Sequence, residues 1–264
     1  MVNLKASLTS LFLGIRFQRR SYSFLDSFGQ LMDELLYYKG GKRNPKDDFF
    51  FAYEEEVAIH QLKMFNTEKG TFALVNPQDF HYGLRLGADP WSHLKPFTED
   101  AKALWSIVRK YNPDPDVDRI GLVMEWSFVP KGGDASAWFR RNNYLPDVQP
   151  GVVLNPLVRY EIRTPLQQSE IDAVKWSKYR NVIMSYRTNH NPQLAAEDQL
   201  GAADKFVVNM DYQHYVGEPI ALKPPEIESH IELAAKFALD RVQPLLSSIE
   251  LGVSNEHEKK AVSA

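Results

Sequence analysis

Apolar residues recur along this chain at two spacings, and the switches between them predict its elements. Leu11, Leu13, Ile15 and Phe17 alternate with small or polar residues, the period of a strand with one buried face. From Phe24 the spacing lengthens. Phe28, Leu31, Leu35 and Leu36 fall on one side of a helix, with Ser21 or Ser23 as its N-cap and Lys39-Gly40-Gly41-Lys42 as its end. Phe49 to Lys63 is strand-like, with a bulge expected at Glu54-Glu55-Glu56. Thr71–Val75 and His81–Leu86 are short strands joined through Asn76-Pro77, after a turn over Asn66–Gly70. Pro96 opens a helix striped by Leu104, Ile107 and Val108. Asn112-Pro113-Asp114-Pro115-Asp116 stops it, because proline cannot donate to a helix and biases its predecessor away from one.

The clearest alternation follows that stop. In Arg119 to Val129 the apolar set Ile120, Leu122, Met124, Trp126 and Phe128 is separated by small, polar or charged residues. Lys131-Gly132-Gly133-Asp134 is a turn, and Ala135–Leu145 a short helix carrying Trp138 and Phe139. Val152–Ile162 is a strand that Pro156 places at an edge or a bulge. Val174–Thr188 and Lys205–Val216 are further strands around a polar loop, Asn189–Gly201. Pro224-Pro225 starts the longest helix, which runs to about Glu250 on Ile227, Ile231, Ala234, Ala238, Val242, Leu245 and Ile249, with a kink expected at Pro244. The tail from Ser254 is polar and expected to fray.

As a string of elements, the two halves both read β-α-β-β-β-α, with boundaries at residues 1–116 and 117–252 and a disordered tail at 253–264. The predicted class is α+β: an antiparallel sheet whose one face is covered by helices. Two such units side by side would form a saddle of the kind seen in the TATA-binding protein, each unit resembling a helix-grip. Tandem ferredoxin-like units are the alternative, because only one strand must be reassigned.

Two short motifs carry a family resemblance. Asp118-Arg119-Ile120-Gly121-Leu122, followed by Phe206-Val207-Val208-Asn209-Met210-Asp211 and a long terminal helix, resembles a sporadically distributed bacterial family of about this length. In that family a strand beginning Arg-Ile-Gly-Leu-Arg-Tyr precedes a strand ending Asp-Ile-Asp. Here Val123 and Met124 stand where the family has Arg-Tyr, and Asn209 stands where it has the first Asp. The resemblance covers mainly the second half and implies no activity, because that family has none assigned.

Composition narrows the chemistry. The chain has 264 residues, 44% hydrophobic and 25% charged with a net charge of −3, which excludes a polycation built to coat nucleic acid. Cysteine is absent, which removes disulfides, thiolate metal sites and a cysteine nucleophile. No stretch has the ~20 apolar residues of a bilayer span, so the chain reads as a cytoplasmic protein with no membrane partner. Gly40-Gly41-Lys42 follows a helix where a phosphate loop needs a strand, and Lys131-Gly132-Gly133-Asp134 lacks the Gly-Lys-Ser/Thr ending. The seven histidines are too scattered to define a metal centre. Of two carboxylate–imidazole neighbours, Asp79/His81 and Asp211/His214, only the first shares a strand face. No catalytic residue, metal site or cofactor is predicted.

What remains is a set of strand arginines on polar faces: Arg16, Arg85, Arg159, Arg163 and Arg187, with Arg119. Their guanidinium groups suit phosphate or carboxylate if they converge, and cross-strand pairing with glutamates otherwise. A second basic group, Arg19, Arg20, Lys42, Arg43 and Lys46, lies near Tyr22, Tyr37 and Tyr38. The leading expectation is a non-enzymatic bacterial binding or accessory protein that holds a protein partner through its sheet face or a helix edge. Its mark would be an exposed apolar-aromatic patch. The alternatives are a nucleic-acid or nucleotide binder using the arginine-bearing face, and an enzyme whose site is assembled from distant residues.

Overall fold

The alternating stretch after the proline stop lies beside the central strand of a nine-stranded antiparallel sheet. The computed structural model describes residues 7–22, 25–40, 48–56, 60–86, 91–113, 115–128, 138–139, 142, 156–167, 176–190, 204–217 and 220–251. Its strands are β1 (Ser7–Phe17), β2 (Ala52–Glu56), β3 (Gln61–Asn66), β4 (Thr71–Val75), β5 (Asp79–Arg85), β6 (Val117–Phe128), β7 (Leu157–Pro165), β8 (Lys178–His190) and β9 (Asp204–Val216). The helices are α1 (Phe28–Leu36), α2 (Trp91–Tyr111), α3 (Pro224–Phe237) and α4 (Gln243–Leu251). The sheet order is β2-β3-β4-β5-β1-β6-β9-β8-β7. The class is therefore α+β, as the pattern predicts, with β1 beside β6 and Gly14 opposite Gly121.

Alternation decides which side of the sheet is covered. Leu11, Leu13 and Ile15 of β1, Phe80 and Tyr82 of β5, Ile120 to Trp126 of β6 at every second position, and Val208 and Met210 of β9 are buried on one face. The helices lie against this face. From α2, Trp105 stacks on Phe80 with ring centroids 6.0 Å apart, Phe97 on Tyr82 at 4.7 Å and Trp91 on Trp126 at 5.6 Å. Ile227, Ile231 and Ala234 of α3 are buried with them, and α3 crosses β6. Trp138 and Phe139 pack on Phe206 from the same side, at 5.2 and 5.5 Å. Among the described residues no helix lies on the opposite face, and none is long and apolar enough to cross a membrane.

Several local expectations change. The run from Phe49 is two strands, not one bulged strand: pairing ends at Glu56, and β3 begins at Gln61 after His60, whose φ is 53°. The first half therefore runs β-α-β-β-β-β-α. Glu54, Glu55 and Glu56 are exposed on β2, an edge strand, where like charges deter further pairing. α2 begins at Trp91 and carries Pro96 inside, so one backbone donor is missing from its second turn. Ser21 does not cap α1; its hydroxyl meets Asn112 Oδ1 at 2.9 Å, while Ser27 occupies the cap position after a 3-10 turn over Leu25–Ser27. Among the described residues after α1 the left-handed one is Lys39, φ 50°, and Gly41 lies outside them. The disturbance expected at Pro244 takes the form of a π turn over Ala238–Val242, a wider turn that absorbs the break before α4. The turns at Asn66 and Asn76 are as predicted. Each asparagine side chain accepts two backbone N–H groups, from Glu68 and Lys69 and from Gln78 and Asp79. The predicted turn at 131–134, most of the helix at 135–145, Arg140-Arg141, most of the polar loop at 189–201 and the tail from 254 lie outside the described residues.

Two glycines respond oppositely to alanine. Gly70 has φ 70°, and a Cβ there would come 2.3 Å from the Arg85 carbonyl oxygen, whereas nothing lies within 4 Å of a Cβ on Gly29 in α1. Gly70→Ala is expected to lower unfolding free energy by about 1–2 kcal/mol from the left-handed conformation alone, with the backbone clash added. Gly29→Ala should raise it by up to about 1 kcal/mol. Urea titrations read both, and equal effects of one sign would contradict the assignment.

Candidate functional site

All five predicted arginines emerge on the uncovered face, because each occupies a strand position out of phase with the buried set. They do not meet. Arg85 of β5 and Arg159 of β7 share one cross-strand row, Arg85–Ser10–Glu125–Asn209–Ser185–Arg159, which separates them by about 24 Å at the usual strand spacing. Carboxylates occupy the spaces between. Asp118 accepts two parallel bonds from Arg16, at 2.9 Å each. Glu125 accepts from Arg187 at 3.1 Å and Glu161 from Arg163 at 2.6 Å. Of these pairs only Arg16–Asp118 joins neighbouring strands; Glu161 lies two residues from Arg163 on β7 itself, and Arg187 of β8 reaches Glu125 of β6 past β9. Arg19 and Arg20 are exposed, and Lys42, Arg43 and Lys46 lie outside the described residues.

The centre of the uncovered face is a recess of 140 Å³ floored by Gly14 and Gly121. Space is tight at both: a Cβ on Gly121 would sit 3.2 Å from Asp211 Oδ1, and one on Gly14 would sit 3.3 Å from the Phe12 ring, so either side chain would have to shift by a few tenths of an ångström. Arg16, Arg119, Asp79, His81 and Asp211 surround this floor. Asp79 and His81 share the face, as their spacing predicts, and Asp211 and His214 are on opposite faces. Arg119 and Gly121 of the first motif and Asp211 of the second, far apart in the chain, come together here through the β6–β9 register. Asp211 is largely buried, and burial raises its carboxyl above the usual range, against the pull of Arg119 3.8 Å away and the Gln213 amide that donates to Oδ2. Its Oδ1 has no hydrogen-bond partner among the described residues. Burial likewise lowers the His81 imidazole, whose ring lies 5.1 Å from Phe12.

Beside the recess, two stacked rings lie between two cations across three strand boundaries. Arg119 lies 5.2 Å from the Tyr215 ring, Tyr215 stacks on Tyr179 at 5.1 Å, and Arg163 lies 5.6 Å from the Tyr179 ring. The cations at the two ends of this ladder also have carboxylate neighbours, Asp211 beside Arg119 and Glu161 beside Arg163. Among the described residues nothing around it pairs a nucleophile with a base, and no three metal-binding side chains gather.

Two other places concentrate functional groups that linear spacing does not reveal. At the far edge of the sheet, Tyr37 after α1 and Phe51 and Tyr53 at β2 are 41–48% exposed and line a recess of 210 Å³ with Phe50 and Asp48. On the helix side, His214 of β9 and His230 of α3 lie 5.9 Å apart, both buried. The signal for the first is the aromatic-rich Phe49-Phe50-Phe51-Ala52-Tyr53, which along the chain reads only as a strand. The second has none, because a strand and a helix must pack before those histidines meet. No protein-family model matches the chain, and no curated protein is significantly similar to it.

Proposed function

We propose that this chain is a non-enzymatic binding protein that takes a protein partner at the edge formed by β2 and the end of α1. The carrying observation is the exposed cluster Tyr37, Phe51 and Tyr53 around its 210 Å³ recess. Aromatic side chains beside a concavity supply most of the affinity of protein interfaces, because they bury large areas at little entropic cost. Edge strand β2 adds a row of backbone donors and acceptors, although Glu54–Glu56 restrict which chain can pair there.

A nucleic-acid or nucleotide binder is the second reading, favoured by the Arg119–Tyr215–Tyr179–Arg163 ladder on an open sheet. Internal charge pairing weighs against it, since a guanidinium already held by a carboxylate gives up less to a phosphate. We also read the two halves as related units that meet at β1 and β6, supported by the facing glycines Gly14 and Gly121.

A photo-crosslinking residue at Tyr53 tests the first reading, with one at the exposed Lys236 of α3 as control. One protein should be captured from Tyr53 alone. Its capture should fall at least about tenfold with Phe51→Ser and stay unchanged with Arg85→Glu and Arg159→Glu. Capture that instead disappears with the arginine reversals, together with oligonucleotide binding that falls steeply with salt, would transfer the function to the sheet face.

A further inference from the structure

A groove of 580 Å³ lies on the helix side of the sheet, between β8, β9 and α3. It is separate from the uncovered face and at the opposite end of the sheet from β2. Lys178 and Arg180 reach it from β8, His214 from β9, and Glu226, Ser229 and His230 from α3, with Leu166 and Leu233 as apolar walls. We propose that this groove binds a small oxyanion, a phosphate or carboxylate group, carried on an apolar body.

The fold leaves several polar groups around this groove unsatisfied among the described residues. His214 is 6% exposed and its Nε2 has no hydrogen-bond partner among the described residues. His230 is 1% exposed; its Nε2 faces the Tyr212 carbonyl at 3.1 Å and must donate, which leaves Nδ1 as an acceptor without a partner. Arg180, 5.8 Å above the Tyr212 ring, also has an Nε–H with no partner. Buried donors and acceptors of this kind are costly to leave unmade, so a ligand that meets them gains more than it would at an exposed surface.

Charge selects the sign of that ligand. Lys178 is bonded to Glu226, whose second oxygen accepts from the Lys223 backbone at 2.8 Å, so the carboxylate is occupied at both oxygens. Among the described residues Arg180 then remains as the uncompensated charge of the groove. The groups facing His214 are Lys178 and Arg180 from β8, Glu226 and His230 from α3 and Tyr212 of its own strand. Burial and the two cations together hold its imidazole down to about 4. A neutral imidazole beside a guanidinium repels a metal cation less than a charged one would, yet the field still favours an anion. An oxyanion would accept from Arg180 Nε–H, and a hydroxyl on it or beside it would donate to His230 Nδ1. The open mouth and the leucine walls leave room for a hydrocarbon or aromatic body.

Calorimetric titration of the full chain with phenyl phosphate and with benzoate tests the site, and inorganic phosphate serves as competitor. At least one of the two aromatic anions should bind saturably and shift the ring resonances of His214 and His230. Which one binds identifies the oxyanion. Arg180→Ala should weaken binding at least about tenfold, the value of one charge-assisted bond. Arg85→Ala on the other face should leave it unchanged. Should Arg180→Ala fail to fold, Ser229→Phe at the exposed lip must block binding in a folded protein. Absence of saturable binding by either anion at millimolar concentration overturns the proposal. So does binding that is indifferent to both substitutions, or that leaves the histidine resonances in place.

Discussion

Acidification from about pH 6.5 to about pH 4 is expected to cost this protein several kcal/mol of stability, with the two buried histidines as the main titrating groups. Burial holds His214 down to about 4 and His230 down to about 3, so both stay neutral in the fold while the unfolded chain takes up protons near 6.5. Where the unfolded state binds more protons, stability falls as pH falls. Their contribution is complete above the unfolded value, near 6.5, and drains away at about 1.4 kcal/mol per pH unit for each histidine until the folded value is reached. Asp211 works the other way, since its raised carboxyl loses a buried charge on protonation and recovers some stability at the acid end. Urea midpoints measured between pH 7 and pH 4 give the slope, and His214→Gln should reduce it by about half. A variant whose slope matches the parent would show that the imidazoles are not neutral because of burial.

Replacement of Trp126 by alanine is expected to cost about 3–5 kcal/mol, close to the limit that a domain with about 5–15 kcal/mol of stability survives. The side chain is fully buried on β6, pairs across β1 with Leu8 and across β9 with Val208, and carries the Trp91 ring of α2 at 5.6 Å. Its loss opens a cavity at the joint of sheet and helix layer, which those flanking backbones are too constrained to close. Trp126→Phe should cost much less. It keeps most of the apolar area and removes an indole N–H that has no partner among the described residues. Denaturation midpoints with an unchanged m-value measure both. A loss under about 1.5 kcal/mol for alanine would mean that the two layers repack.

Which residues face the core is legible in the alternation itself. The odd and even positions of Leu11–Phe17, Arg119–Phe128 and Lys205–Val216 sort to opposite faces because strand geometry has a period of two whatever the neighbours are. The same sorting puts all five arginines on one side of the sheet. Their separation is not legible there, since it depends on strand order: β5 and β7 end up five strand spacings apart only because β1, β6, β9 and β8 lie between them. The extra strand of the first half is hidden for a local reason. Three consecutive glutamates look like an interruption within one strand, and only the backbone reversal at His60 makes them the end of an edge.

The chain by itself thus determined the α+β class, the buried faces of β1, β6 and β9, the Asn-based turns and the absence of any thiol chemistry. These follow from steric periods, side-chain hydrogen bonds to the local backbone and composition, which act within a few residues. Tertiary structure alone decided that Gly14 meets Gly121, that Asp211 is set beside Arg119, and that His214 and His230 share a groove with Arg180. Those meetings depend on register and on helix docking, which are selected by the summed burial of the whole core and leave no mark on any single stretch.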